Sequence, residues 1–271
     1  MDKHVITAHK TYTQKPDLNM FNMHTHDNYE IYCFLSGTAK YFVEGNIYKL
    51  KSGDILIIKK AEAHSLLINS ETPYERIVIN FTQEALLEEN PAAAIAFLDN
   101  KPLGKNNYYS FVRFSDTRWR YYLEKICAST DNYEKRLYLT VLLRELNSQH
   151  CKITDTNTET DNISDIINYI NHHLAEPLSL NTLCEYFYIS KSQLNRKFKR
   201  VTGSTVWEYI TAKRLLLAKE LLRNGEHPTT VSVKSGFSDY CTFYRAYKAR
   251  FSVSPKNDFI SYTRKSVQYF K

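Results

Sequence analysis

LSLNTLCEYFYISKSQLNRKFKRVT, residues 178–202, reads in three steps. A short helix covers about Asn181 to Phe187, a tight turn passes through Tyr188 and Ile189, and a second helix opens at Lys191. Ser190 stands just before it, where a hydroxyl can accept from the first unpaired backbone N–H groups of the helix. In that second helix Leu194, Phe198 and Val201 fall at i, i+4 and i+7, which places them on one buried face. The same rotation turns Ser192, Asn195, Arg196 and Lys199 outward, with Gln193 beside them. Arginine can hold a guanine edge with two hydrogen bonds, asparagine and serine can reach bases or phosphates, and lysine can pair with a phosphate. A helix of this chemistry behind a short turn is the punctuation of a helix-turn-helix unit.

About 48 residues later the plan recurs. Val231-Ser232 stands for Leu183-Cys184, each with a small residue where two helices approach closely, and Phe237-Ser238 stands for Ile189-Ser190. Gly236 supplies a permissive turn residue. With one extra residue in the second copy, Phe243, Arg245, Tyr247 and Lys248 correspond to Leu194, Arg196, Phe198 and Lys199. Between the copies Thr205 to Arg223 predicts one long helix, in which Trp207, Ile210, Leu215, Ala218 and Leu222 are available to pack both units. Two reading heads so joined would enter successive major grooves, roughly 34 Å apart.

Residues 163 to 260 closely resemble the DNA-binding domain of the AraC/XylS family of bacterial regulators. The family's signature stands here as Gly236-Phe237-Ser238-Asp239, then Phe243-Tyr-Arg245-Ala-Tyr247-Lys248 followed by Pro255, with Arg214 in the linking helix. Ser252 occupies a position where the family usually has glycine, and Asp258 and Phe259 replace its common aromatic-Arg ending. The resemblance implies base contact from Ser192, Asn195 and Arg196 in the first unit and from Tyr240, Cys241, Tyr244 and Arg245 in the second. Gln193, Lys199 and Lys248 complete the expected DNA-binding set.

Charge follows the same division. From Ile163 to Lys271 there are 17 Lys and Arg against 8 Asp and Glu, whereas the preceding 162 residues hold 19 against 21. Such an excess attracts phosphates, although a solvated surface could carry it too. At 271 residues and 43% hydrophobic composition the chain suits two soluble domains. It holds no apolar run long enough to span a membrane, and Met1 to Lys10 does not read as a secretory signal, so a cytoplasmic location is expected. Cys33, Cys127, Cys151, Cys184 and Cys241 are odd in number and scattered, without a C-x-x-C pair, and are expected as reduced thiols.

The polar stretch KITDTNTETDN separates the halves, giving residues 1–150 as one domain, 151–162 as a linker and 163–271 as the other. From Tyr29 to Phe81, short runs rich in Ile, Val, Tyr and Phe recur between turn signals at Gly37, Glu44-Gly45-Asn46, Ser52-Gly53-Asp54 and Asn69 to Pro73. That spacing predicts a sandwich or barrel. From Gln83 to Gln149 the pattern turns helical, and Leu139, Leu142, Leu143 and Leu146 form a stripe that suits either the barrel or a second subunit. The fold class is therefore α+β in two domains.

His24-Thr-His26-Asp-Asn-Tyr-Glu30, then Gly37, Gly53-Asp-Ile-Leu-Ile-Ile and His64 resemble the two sequence motifs of cupin barrels, the double-stranded β-helix, with Lys59 and Ala61 in place of the usual Pro and Gly. In metal-bearing cupins the positions of His24, His26, Glu30 and His64 ligate a metal, which keeps a metal-dependent enzyme as the alternative. Regulators of the resembled family commonly use the barrel to bind a small effector, often a sugar, without catalysis. His24, His26, Glu30, Tyr32, Tyr41, His64 and Arg76 form the expected effector set, with no catalytic residue, cofactor or assigned metal. A non-specific architectural DNA binder is a further rival, set apart by weak site preference. The expected partners are double-stranded DNA, a small effector, a second copy of the chain and RNA polymerase.

Overall fold

The computed structural model describes residues 6–16, 23–68, 71–112, 118–150, 158–159 and 162–268. It divides into two units, Met1–Asp161 and Asn162–Lys271. In the first, the described strands are β1 (Ile6–Thr13), β2 (Tyr29–Ser36), β3 (Ala39–Val43), β4 (Asn46–Lys49), β5 (Ile55–Ile58), β6 (His64–Ile68), β7 (Tyr74–Phe81), β8 (Tyr108–Tyr109) and β9 (Thr158–Glu159). They pair antiparallel in two sheets, ordered β1-β7-β2-β5-β8 and β6-β3-β4-β9. Helices α1 (Pro91–Ala94), α2 (Ala96–Asp99), α3 (Trp119–Ala128) and α4 (Asn132–His150) follow the main strands.

The run YEIYCFL in β2 is buried at every position, because the sheet it belongs to is covered on both faces. Side chains alternate across a strand, so Tyr29, Ile31, Cys33 and Leu35 pack with Ile55, Ile57, Ile77, Ile79 and the helices. Tyr32 and Phe34 point the other way, among Tyr41, Val43, Leu56, Ile58 and Leu66 in the barrel interior. Leu139, Leu142, Leu143 and Leu146 all lie buried in the helix-side core, so the α4 stripe covers the barrel rather than awaiting a partner.

Three features depart from the sequence pattern. β1 was not signalled by apolar alternation, and it takes its register from β7, with Ile6 opposite Phe81 and Thr13 opposite Tyr74. The helical pattern expected from Gln83 onward is broken by a turn through Pro102 and Gly104 and by β8, which adds Tyr109 beside Ile55. In the segment expected to be a linker, Thr158 and Glu159 pair with Tyr48 and Ile47; its residues 151–157 lie outside the described ones, as do Asn69 and Ser70 of the expected turn.

The second unit is helical throughout its described residues: α5 (Asn162–His172), α6 (Leu180–Tyr186), α7 (Lys191–Thr202), α8 (Val206–Arg223), α9 (Pro228–Lys234), α10 (Tyr240–Phe251) and α11 (Pro255–Gln268). Ser179 caps α6, Ser190 caps α7 and Asp239 caps α10, each accepting from the backbone N–H three residues on, while Thr205 and Glu208 form a reciprocal capping box on α8. Ile210, Leu215, Ala218 and Leu222 are buried along α8. Trp207 is not: it is 53% exposed, because Val206, Tyr209 and Ile210 take the inward face of the first turn. Instead Arg214 stands 6.0 Å from its ring.

Arg214 also ties the two halves of this unit together. Its Nε and Nη2 donate to the carbonyls of Leu174 and Glu176, at 2.9 and 2.8 Å, across the turn that follows α5. Gly236, in the turn of the second copy, packs under the same group: a Cβ there would lie 2.2 Å from the Leu174 oxygen and 2.8 Å from Arg214 Nε. Among the described residues no helix is long and apolar enough to cross a membrane.

Two positions where glycine is usual in the resembled families keep the glycine backbone without the glycine. Ser252 closes α10 at φ 57°, as Gly203 closes α7 at φ 75°, and Ala61 has φ 64°. A left-handed backbone costs an L-residue about 1–2 kcal/mol, partly offset in glycine by its greater freedom when unfolded. Ser252→Gly and Ala61→Gly should each stabilise by about 0.5–1 kcal/mol, and Gly236→Ala should destabilise by about 2 kcal/mol or more, as read by urea unfolding. Lower stability in both glycine variants would refute the strain.

Candidate functional site

The first copy of the repeat presents α7 and the second presents α10. Leu194, Phe198 and Val201 are buried in the one, Phe243 and Tyr247 in the other. Ser192, Gln193, Arg196 and Lys199 are exposed on α7, and Cys241, Arg245 and Lys248 on α10; Asn195, Tyr240 and Tyr244 are half-buried. Tyr240 spends part of its ring on the core, 5.8 Å from Phe243, and Arg245 Nε donates weakly to the Cys241 carbonyl of its own helix, at 3.4 Å. Neither helix contains an acidic residue, and Arg200 and Arg250 add charge to their last turns. The outward faces are therefore cationic and rich in hydrogen-bond donors, the chemistry that phosphates and guanine edges accept.

A residue the sequence reading treated only as part of a turn stands at the same place in the first copy as Gly236 in the second. Tyr188 adopts φ 51°, matching the φ 84° of Gly236, and is 97% exposed. The length of the turn was legible; its handedness in the first copy was not, since tyrosine does not announce a left-handed backbone.

In the first unit a backbone bridge joins His24 to His64, with N–H to oxygen distances of 3.0 and 3.1 Å, and so brings the first motif against the start of β6. Ring centroids of His24 and His64 lie 4.2 Å apart, and those of His26 and His64 lie 4.8 Å apart. Glu30, only 5% exposed, faces them: its Oε2 lies 3.2 Å from His26 Nε2 and 3.9 Å from His64 Nε2, while its Oε1 accepts from the Tyr41 hydroxyl at 2.9 Å. Burial pushes the Glu30 carboxyl up, but the His26 hydrogen bond, the two rings and Tyr41 outweigh it and hold it at about 2. Burial likewise takes His64 down to about 4, against the pull of Glu30, and in His26 the pull of Glu30 overcomes burial and raises the ring.

The side chains of His24, Glu30, Tyr32, Tyr41, Leu66, Arg76 and Val78 line a cavity of about 160 Å³. Five of the seven expected effector residues thus share one space, and His26 and His64 adjoin it through Glu30. Leu66 and Val78 were not anticipated, nor was Tyr74, whose hydroxyl meets that of Tyr32 at 2.5 Å. Arg76 lies 5.1 Å from the Tyr74 ring, which orients it beside the cavity. The four donors His24, His26, Glu30 and His64 have ligand atoms within 4.8 Å of one another and could hold a metal ion.

Residues 10–95 match the family described as AraC-like ligand binding domain, and residues 183–259 match the family described as helix-turn-helix domain. The HTH-type transcriptional activator RhaS of Escherichia fergusonii is 25% identical over 253 residues, covering 87% of this chain and 86% of that protein. The regulatory protein SoxS of Escherichia coli K12 is 33% identical over 96 residues, which is 35% of this chain and 90% of that protein. A crystal structure of ToxT from Vibrio cholerae covers 94% of this chain and 97% of that one, at 15% identity and a TM-score of 0.38.

The loop that leads to His64 is held by a buried ion pair. Lys101 Nζ donates to Glu62 Oε1 at 2.6 Å with neither side chain exposed, and Gly104 N–H, Asn107 Nδ2 and Lys59 N–H fill the remaining carboxylate positions. The Glu62 carbonyl then accepts from His64 Nδ1 at 2.8 Å. Lys101→Met should cost about 3–5 kcal/mol by stranding the carboxylate, and Lys101→Met with Glu62→Gln should recover part of it. Equal unfolding midpoints for wild type and Lys101→Met would show that the pair contributes nothing.

Proposed function

The chain belongs to the AraC family of DNA-binding transcription regulators, and from that premise we propose that it is an effector-responsive activator acting on a catabolic operon. The observation that carries this reading is the pairing, in one chain, of two cationic recognition helices with a cavity lined by charged, imidazole and tyrosine side chains. Ser192, Gln193, Asn195, Arg196 and Lys199 meet one stretch of major groove, and Tyr240, Cys241, Tyr244, Arg245 and Lys248 meet the next. Arg196 and Arg245 read bases; the lysines hold phosphates and set the register. The activator sense is that of RhaS, which matches the whole arrangement at 25% identity.

The cavity suits a small hydroxylated molecule of about monosaccharide size. Tyr32 and Tyr41 give aromatic faces for sugar C–H surfaces, while Glu30, His24 and Arg76 offer both acceptors and donors for hydroxyls. The protein works in the cytoplasm as a homodimer on spaced sites, with RNA polymerase as its further partner. Effector binding changes the affinity for those sites by favouring one arrangement of the dimer.

Two measurements test this. In a mobility-shift or anisotropy titration on its operator, Arg196→Ala and Arg245→Ala should each weaken specific binding by about 1–3 kcal/mol and relax base preference at one position. Unchanged binding curves in both variants would refute the base-reading roles. A thermal-shift panel of mono- and oligosaccharides on the full chain should find one class that raises the melting temperature, and Tyr41→Phe with Arg76→Ala should abolish that response.

A further inference from the structure

We propose that β9 is a latch: the pairing of Thr158 and Glu159 with the edge of β4 is the element through which occupancy of the cavity sets the length of chain left free before the DNA-binding unit. This rests on the effector reading above, and the experiment below is arranged so that either can fail alone.

Strand register carries it first. Leu66 and Tyr41 both line the cavity. In the second sheet Leu66 of β6 stands opposite Tyr41 of β3, Tyr41 opposite Tyr48 of β4, and Tyr48 opposite Thr158 of β9. One row of partners therefore crosses all four strands, from the cavity wall to the segment that follows α4. A second route reaches the same place. His64 Nδ1 bonds to the Glu62 carbonyl, Glu62 Oε1 accepts from the Gly104 N–H at 2.9 Å, and the Gly104 carbonyl accepts from Asn46 Nδ2 at 2.7 Å and the Tyr48 hydroxyl at 3.3 Å. Both routes end on β4, the strand to which β9 pairs through Ile47 and Tyr48.

The pairing itself is short. Two residues form few backbone hydrogen bonds, so β9 opens more readily than the sheet it joins. When it opens, β4 becomes an unpaired edge, because β3 is its only other neighbour in the sheet. Paired and open are thus two discrete states of one element, which is what coupling between distant sites requires. A ligand resting on Leu66 and Tyr41 restrains β6 and β3, so less order remains to be imposed on β4 and β9, and the paired state gains. The consequence is a change of tether. Residues 151–161 join α4 to α5, whereas with β9 paired only residues 160 and 161 precede α5. A shorter free tether raises the effective concentration of the second recognition unit of a dimer once the first is on DNA, so the effector tightens operator binding.

The test uses the full chain and DNA that it selects from a random pool. Ile47→Cys with Glu159→Cys locks the latch, since Cα partners in antiparallel strands stand about 4.5–5.5 Å apart, within the span of a disulfide, and reduction unlocks it. Of two consecutive strand residues one must aim its N–H at the neighbouring strand, so Thr158→Pro with Glu159→Pro releases it. Thr158→Val, which keeps a β-branched residue, is the control. The oxidised cysteine variant should bind DNA about tenfold more tightly than its reduced form. The sugar that raises the melting temperature should slow hydrogen exchange in peptides containing residues 46–49 and 158–159. It should also tighten DNA binding by wild type and Thr158→Val, but not by the proline variant or the oxidised one. Failure of the disulfide to form, equal affinity of the oxidised and reduced forms, or a full sugar response in the proline variant would overturn the latch and spare the effector reading. A tenfold gain on oxidation with no response to any sugar upholds the latch and sinks the sugar.

Discussion

Glu30 brings a negative charge into a barrel interior built largely of aliphatic and tyrosine side chains, and the surroundings of that carboxylate organise one end of the N-terminal unit. β2 is covered on both faces, so a polar side chain on it is largely withdrawn from water. The charge is tolerable only if partners converge on it, because an unpaired buried ion costs several kcal/mol. Tyr41 comes from β3, His26 from the segment before β2, and His64 from β6, so one carboxylate draws on three separate stretches of chain. Behind them the Glu62–Lys101 pair fixes the loop that delivers His64. The polar end of the barrel and the cavity beside it follow from this demand.

The C-terminal unit solves the opposite problem. Most of its large apolar residues on α7, α8 and α10 are spent inward, which leaves the outer faces of α7 and α10 polar and cationic. Arg214 is structural rather than interfacial, a cation spent on the carbonyls of Leu174 and Glu176, and Lys213 beside it is buried too. Much of the positive charge of this half stands on exposed side chains of α7 and α10 that packing does not consume, a chemistry complementary to phosphate.

The helix-turn-helix repeat was legible because its information is local. Caps at Ser190 and the i, i+4, i+7 spacing of Leu194, Phe198 and Val201 act within a dozen residues, and the structure repeats them faithfully. The His24-x-His26 and Glu30 spacing was legible for the same reason, and His64 through its motif. What was hidden depends on distant partners. β1 and β9 are strands only because β7 and β4 accept them, and neither has an apolar alternation of its own. Leu66 and Val78 joined the cavity through strand register, and a shift of one residue would have turned each to the other face. Trp207 misled because a large aromatic at the start of a helix reads as core, while the rotation of that first turn is set by Val206 and Ile210.

The two turns of the repeat bend the backbone the same way, yet they have unequal freedom to drift. At Gly236 the space a side chain would need is already filled by the Leu174 oxygen and the Arg214 guanidinium. At Tyr188 the side chain stands almost wholly in solvent, so the position bears only the conformational cost. Duplicated units are thus free to diverge where a turn faces water and are held where it faces a neighbour. Chemical history in such a pair is written by packing, even at positions that share one torsion angle.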